Sequence, residues 1–252
     1  MGHGNLRKVY EEVYARGLWL HPLFPSERVK LKVLISWLQP SGSDVILDFG
    51  CGSGRYFAEI EKMAECIGLD IAVKPLRRLA KSKVLCADGC FLPLRDESID
   101  KVICVDVIEH IPDDSKAFAE VYRVLKPKGY AFFYLPSRNP WSLEWFAAKI
   151  SRSYPRYPRD EEQFHLHRYE EREILSHLKG YGFKIVRVSY FLHYLSAFFD
   201  LLSSFNERKV ESGSLNRVPA RLLKLVEKLE LAEYMLLHSL PYASGMFILC
   251  RK

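Results

Sequence analysis

The 252-residue chain contains no threonine and only two glutamines, against many Lys, Arg and Glu residues. A composition rich in charged side chains and poor in thermolabile amides is compatible with a heat-adapted source. No Cys-x-x-Cys pair occurs among the six cysteines, Cys51, Cys66, Cys86, Cys90, Cys104 and Cys250. This argues against a zinc ribbon or a disulfide framework, and the thiols read as reduced and buried in a cytoplasmic protein. No apolar run is long enough to span a bilayer, and residues 1–8 lack the apolar core of a secretory signal. Neither charge sign dominates. A formal net charge of +6 permits an anionic partner without demanding one. The 48% of apolar residues is ample for a core, and the length suits one large domain or one domain with a substantial insertion.

The rest of the chain is organised around Val45-Ile-Leu-Asp-Phe-Gly-Cys-Gly-Ser-Gly54. Val45 to Phe49 is a short apolar run, bounded upstream by Gly42 and Asp44, and reads as a buried strand. Gly50, Gly52 and Gly54 follow, and then a helix-compatible stretch from Arg55 to Ala64. Strand, glycine turn and helix together let backbone approach a ligand at a helix start. The dinucleotide fingerprint is Gly-x-Gly-x-x-Gly. Here the spacing is Gly-x-Gly-x-Gly and Asp48 precedes the first glycine by two residues. A carboxylate there would repel a pyrophosphate and suits a ligand carrying an ammonium group, so a dehydrogenase is disfavoured.

Asp48-Phe-Gly-Cys-Gly-Ser-Gly54 resembles the first motif of the class I S-adenosylmethionine-dependent methyltransferases, in their broad type 11 group. Gly68-Leu-Asp70 resembles the second motif, Cys86-Ala-Asp-Gly89 the third, and Ser98 to His110 the fourth strand with its active-site end. Leu125-Lys-Pro-Lys-Gly129 resembles the turn before the fifth strand, with Lys128 where many relatives carry a glycine and Gly129 expected to supply the turn. The likeness runs from about Val45 to Leu135. It implies S-adenosyl-L-methionine as cofactor. Gly50, Cys51, Gly52 and Gly54 are then expected near its methionine portion, with Asp48 supporting the turn or the amino group. Asp70 and the adjoining Ile71 are expected at the ribose, and Asp88 and Gly89 at the adenine. Asp106 is expected at the cofactor and, with His110, at the catalytic edge.

Strands are expected near 45–49, 66–70, 83–87, 100–105, 129–135, 183–190 and 244–250, and helices near 55–64, 73–81, 114–125 and 169–181. Such alternation means an α/β, doubly wound, mostly parallel sheet with helices on both faces. The resemblance implies a seven-stranded Rossmann-like sheet whose last strand is antiparallel. Residues 1–43 are expected to form an N-terminal helical segment. Ser26 is its cap, and Val29, Val33, Leu34 and Trp37 form its stripe. That segment either packs on the sheet edge or folds its first residues, with Tyr10, Tyr14, Trp19 and Phe24, over the cofactor.

In open α/β sheets the ligand lies beyond the carboxyl ends of the strands. Three connections reach that edge. Asp106 to His110 carries His110, whose imidazole suits proton removal or substrate positioning, or simply bonds its loop. Asp106 and Glu109 share the segment, one expected toward the cofactor and the other toward a helix. Pro136 to Arg168 interleaves Trp141, Trp145, Tyr154 and Tyr157 with Arg138, Lys149, Arg152, Arg156 and Arg159. That pattern fits an RNA surface, a phosphorylated small molecule or a solvated flap. In the same connection His165 and His167 alternate, but they lack clear partner acids, so no metal is assigned. The third connection, within 191–240, separates core segments 44–190 and 241–252. Leu192, Leu195, Phe199 and Leu202 share one helical face, and Leu222, Val226, Leu229 and Leu236 another. It reads as a helical lid, an apolar pocket or a peripheral membrane contact.

Leu135-Pro-Ser-Arg138 stands where DNA and glutamine amino-methylating relatives carry an Asn-Pro-Pro-Tyr-like motif. The cysteine motifs of cytosine C5 enzymes are also absent. The expected acceptor is a small or lipid-like molecule with an O, N or C nucleophile. An RNA acceptor and a non-catalytic, cofactor-binding partner subunit remain as alternatives.

Overall fold

The structure is a computed structural model describing residues 7–8, 10–12, 25–79, 82–150, 165–199 and 219–252. Seven strands, Val45–Phe49 (β1), Glu65–Asp70 (β2), Val84–Cys86 (β3), Ile99–Val105 (β4), Leu125–Pro136 (β5), Lys184–Phe191 (β6) and Gly245–Arg251 (β7), form one sheet. Their order is β3-β2-β1-β4-β5-β7-β6. β1 pairs in parallel with β2 on one side and β4 on the other. β7 runs antiparallel to both of its neighbours, β5 and β6. The order of winding reverses at β1. A crevice therefore opens beyond the ends of β1 and β4, where ligands of such sheets bind.

Alternation along the buried strands feeds two apolar layers. Leu47, Phe49, Val102, Cys104, Ala131 and Phe133 face the helices Asp114–Val124 (α4) and Glu171–Gly180 (α6). Ile46, Ile103, Val105, Phe132 and Tyr134 face Pro25–Leu38 (α1) and the short helix Phe57–Ile60 (α2). Because both faces are covered, the central strands are almost continuously apolar, as parallel strands require. Further helices among the described residues include Val73–Leu76 (α3), Leu143–Ile150 (α5) and Ala220–Leu237 (α7).

The helix expected over 55–64 contracts to α2. Residues 51–56 are spent on the glycine turn, and after Ile60 the chain tightens into turns before entering β2. The helix expected over 73–81 is α3 followed by a 3-10 turn at Arg77–Leu79. Ala80 and Lys81 lie outside the described residues. β5 begins at Leu125, earlier than expected, because Leu125 already pairs with Ile99 ahead of a bulge. There the expectation for Gly129 is corrected. Lys128 itself takes the left-handed conformation, φ +70°. Gly129 is needed for a different reason: a Cβ would stand 2.8 Å from the Asp100 carbonyl oxygen.

α7 lies along α1. Tyr234 and Leu231 join the second layer, and Glu227 pairs with Lys32 at 2.7 Å and with Arg28 at 3.7 Å. The Glu233 carboxylate accepts the backbone N–H groups of Tyr194, Leu195 and Ser196, fixing the start of the helical residues 195–199. Leu202 and the other residues of 200–218 lie outside the described residues.

Candidate active site

The glycine turn is built by three left-handed residues, Gly50 (φ +78°), Gly52 (φ +52°) and Gly54 (φ +87°). A Cβ at Gly50 would overlap the Val107 side chain, and one at Gly54 would come within 2.6 Å of Leu79 Cδ2. The turn crosses the end of β2, where Gly50 N–H and Cys51 N–H donate to the Leu69 carbonyl at 2.7 and 2.9 Å. Asp70 then pins it. Its Oδ2 accepts Gly52 N–H at 2.9 Å and its Oδ1 accepts Ala72 N–H at 2.9 Å. Burial raises the Asp70 pKa, and these N–H donors oppose the rise.

One cavity opens above this turn. Gly50, Cys51, Gly52, Asp70, Ile71, Asp88, Gly89, Asp106 and His110 all line it. The sequence-expected set therefore converges, with two exceptions. Asp48 is buried beneath the turn, away from the lining, where it accepts the Phe57 N–H at the start of α2. Its Oδ2 has no hydrogen-bond partner among the described residues. Burial, with the nearby Asp70 charge, pushes its pKa up to about 7. Gly54 shapes the turn from below, against Leu79, and does not face the cavity. Asp88 Oδ1 accepts Cys90 N–H at 2.8 Å, and Gly89 leaves room for the Phe49 ring, which a Cβ would approach to 2.5 Å.

Sequence reasoning missed a charged wall contributed by α1. Glu27 lines the cavity together with Tyr10, Arg55 and Tyr56. Tyr56 donates its hydroxyl to Glu27 at 2.5 Å, and Arg55 and Lys30 approach the same carboxylate at 2.8 and 3.0 Å. The Lys30 ammonium also reaches Asp106 at 2.5 Å and lies 4.1 Å from the centre of the Tyr134 ring. Burial alone would drive Lys30 neutral, but the Asp106 and Glu27 carboxylates hold it charged. Burial alone would likewise protonate Glu27. The Lys30 and Arg55 cations and the Tyr56 hydroxyl instead hold its pKa far below the usual range. One signal was present: Lys30 sits one turn before Leu34, inside the apolar stripe of α1, where a solvated lysine has no place.

Asp106 (φ +54°) leads into the 3-10 turn Ile108–His110. Asp106 and His110 line the cavity, whereas Glu109 is turned inward and fully buried. The Glu109 carbonyl accepts the N–H groups of Leu166 and His167 at 2.8 and 3.1 Å, docking that segment on the turn. His165 and His167 then diverge. The His165 ring centre lies 5.0 Å from that of His110, whereas His167 Nε2 meets the Ile111 carbonyl at 3.0 Å. Tyr10 packs edge-on against His110 at 5.9 Å between ring centres, and Glu11 accepts the N–H of Val73 at 2.6 Å. Part of the N-terminal segment thus lies at the cavity. Tyr14, Trp19 and Phe24 fall outside the described residues.

In the basic-aromatic connection, Arg138 is paired with Glu170 at 3.1 Å and Glu173 at 3.3 Å, and Lys149 lies over the Trp145 ring at 4.1 Å. Trp141 is exposed. Arg152, Tyr154, Arg156, Tyr157 and Arg159 lie outside the described residues.

Residues 47–133 match the family model described as Methyltransferase domain. The tRNA (carboxymethyluridine(34)-5-O)-methyltransferase of Arabidopsis thaliana is 41% identical over 97 residues, which are 36% of this chain and 23% of that protein. The malonyl-[acyl-carrier protein] O-methyltransferase of a Marinomonas species is 32% identical over 133 residues, 48% of this chain and 49% of its own length. The chain thus spans between about a quarter and a half of these relatives. In structure it is similar to a SAM-dependent methyltransferase of Thermotoga maritima, with TM-score 0.64 and 18% identity over 98% of this chain and 99% of that one. Residues 47–133 thus match a methyltransferase domain, and the chain shares the Rossmann-like fold of that solved structure.

Proposed function

We propose that the protein transfers a methyl group from S-adenosyl-L-methionine to an O, N or C nucleophile of a small or lipid-like acceptor. The observation that carries this reading is the single cavity into which the glycine turn, Asp70, Asp88, Asp106 and His110 all converge.

The residues present suit the cofactor. The left-handed turn clears space that a Cβ at Gly50 would crowd by displacing Val107, itself a lining residue. Asp70 and Asp88 give the wall a carboxylate character that favours a cationic ligand, while Glu27 and Asp106 are balanced by Lys30 and Arg55; Phe49, Tyr10 and Tyr56 offer aromatic surface. Gly50, Cys51 and Gly52 would hold the methionine portion, Asp70 and Ile71 the ribose, and Asp88 and Gly89 the adenine. Asp70 can serve both turn and ligand, since each carboxylate oxygen has a second lone pair beyond the N–H bond it already accepts. The bound cofactor supplies a methyl group already activated on a sulfonium sulfur. The chain's own task is therefore to orient an acceptor in line and to exclude water. His110, at the cavity wall beyond β4, is the residue placed to position that acceptor.

A small acceptor is favoured over RNA because two basic residues of the aromatic connection are already engaged, Arg138 by two glutamates and Lys149 by Trp145. Incubating the purified protein with methyl-labelled cofactor and a cell extract, then separating RNA, protein and organic-soluble fractions, tests the reading. Label in the small-molecule or organic fraction is expected. Label in RNA overturns the acceptor assignment, and label nowhere despite cofactor binding leaves the partner-subunit alternative.

A further inference from the structure

We propose that Glu109, His110 and His165 form a divalent transition-metal site in the wall of the cofactor cavity. One ligand atom from each lies within 4.8 Å of the others. Glu109 Oε1 is 3.8 Å from His110 Nε2 and 3.9 Å from His165 Nε2. An ion at the centre of that triangle stands within about 2.5 Å of all three, against about 2.0–2.2 Å for a settled zinc bond to imidazole or carboxylate. A shift of a few tenths of an ångström per side chain closes the difference.

Two independent features support a ligand set over a chance meeting of side chains. Glu109 is 0% exposed, yet neither of its carboxylate oxygens has a hydrogen-bond partner among the described residues. A buried carboxylate without donors is costly, and a cation between it and two imidazoles removes that cost. The set is also pre-built by backbone: the Glu109 carbonyl clamps Leu166 and His167, and His167 Nε2 meets the Ile111 carbonyl. These bonds bring His165 to residues more than fifty positions earlier in the chain.

Two imidazoles and one carboxylate suit zinc or another first-row transition metal rather than Mg²⁺ or Ca²⁺, which take mainly oxygen ligands. Three protein ligands leave at least one coordination position open. His110 lines the cavity, so the site borders the space assigned to the acceptor. A hydroxyl bound there gives up its proton to water more readily. The acceptor class is then a hydroxyl-bearing molecule. This last step rests on the methyltransferase reading; the metal site does not.

The test uses the full-length protein, stripped with EDTA and titrated with CoCl₂ and then with ZnCl₂. One Co²⁺ per chain is expected, with a visible d–d band, and Zn²⁺ should displace it. His165→Ala and Glu109→Gln should each weaken Co²⁺ binding at least 100-fold, with far-UV circular dichroism confirming that the fold is kept. Absence of the cobalt band in the wild type overturns the proposal even if both variants misfold. So does undiminished binding by a folded His165→Ala. Methyl transfer is not read in this assay, so its outcome and that of the labelling experiment are independent.

Discussion

The Lys30 ammonium lies 2.5 Å from the Asp106 carboxylate, joining residues 76 positions apart. The pair ties α1 to the end of β4, where Asp106 is held in a left-handed conformation beside the cavity. Lys30 also serves Glu27, so one buried cation balances two carboxylates. Removing one partner of a buried pair costs about 3–5 kcal/mol, because the charge left behind is uncompensated. Lys30→Met is therefore expected to lower unfolding free energy in urea by that order and to weaken cofactor binding. A change under about 0.5 kcal/mol, the range of ordinary surface substitutions, would show that the pair carries no such load.

Glycine substitutions separate the turn from the rest of the chain. Gly50→Ala forces a Cβ into a left-handed residue, costing roughly 1–2 kcal/mol, and displaces Val107 from the cavity wall. Both stability and cofactor affinity should fall. Gly42→Ala is the control, since a Cβ there meets nothing within 4 Å. It should be neutral or slightly stabilising. Equal behaviour of the two variants in thermal melts and calorimetry would contradict the turn geometry.

Asp48 sets a pH dependence. Its pKa is raised from 3.8 to about 7 in the folded protein. Between those values the folded state keeps a proton that the unfolded state has lost, so this group makes stability fall as pH rises through the window. At about 1.4 kcal/mol per pKa unit the full effect is on the order of 4 kcal/mol. The Glu27 contribution has the opposite sign, because its folded pKa is depressed, and is complete above its ordinary value of 4.5. Burial also raises the pKa of Asp70, Asp106 and Glu109, so urea titrations at pH 5 to 7.5 isolate Asp48 through the difference between wild type and Asp48→Asn. The wild-type stability relative to Asp48→Asn should decline across that window, and a constant difference would refute the assignment.

The strand positions and the glycine turn were legible because both rest on local patterns. Each strand is an apolar run, and each left-handed position of the turn is a glycine. Asp70 and Asp88 were legible through the resemblance of Gly68-Leu-Asp70 and Cys86-Ala-Asp-Gly89 to the second and third family motifs. The wall built by Glu27, Lys30, Arg55 and Tyr56 was not read, because their charges are balanced only after α1 docks. In the sequence, Glu27 and Lys30 look like an ordinary surface pair three residues apart. The meeting of Glu109 with His165 was hidden for a similar reason, since it depends on the Glu109 carbonyl capturing the backbone of Leu166 and His167. Lys128 shows the limit of motif transfer, as it adopts a left-handed conformation where a glycine was the expected turn former.

The most direct measurement is calorimetric binding of S-adenosylhomocysteine to the wild type and to Asp70→Ala. Asp70 holds Gly52 and Ala72 through hydrogen bonds to a carboxylate, each worth about 1.5–3 kcal/mol, and it lines the cavity. The wild type should bind one equivalent, and the variant at least about 10-fold more weakly, the loss of one such bond. Equal affinity, or no binding by the folded wild type, would contradict the placement of the cofactor in this cavity.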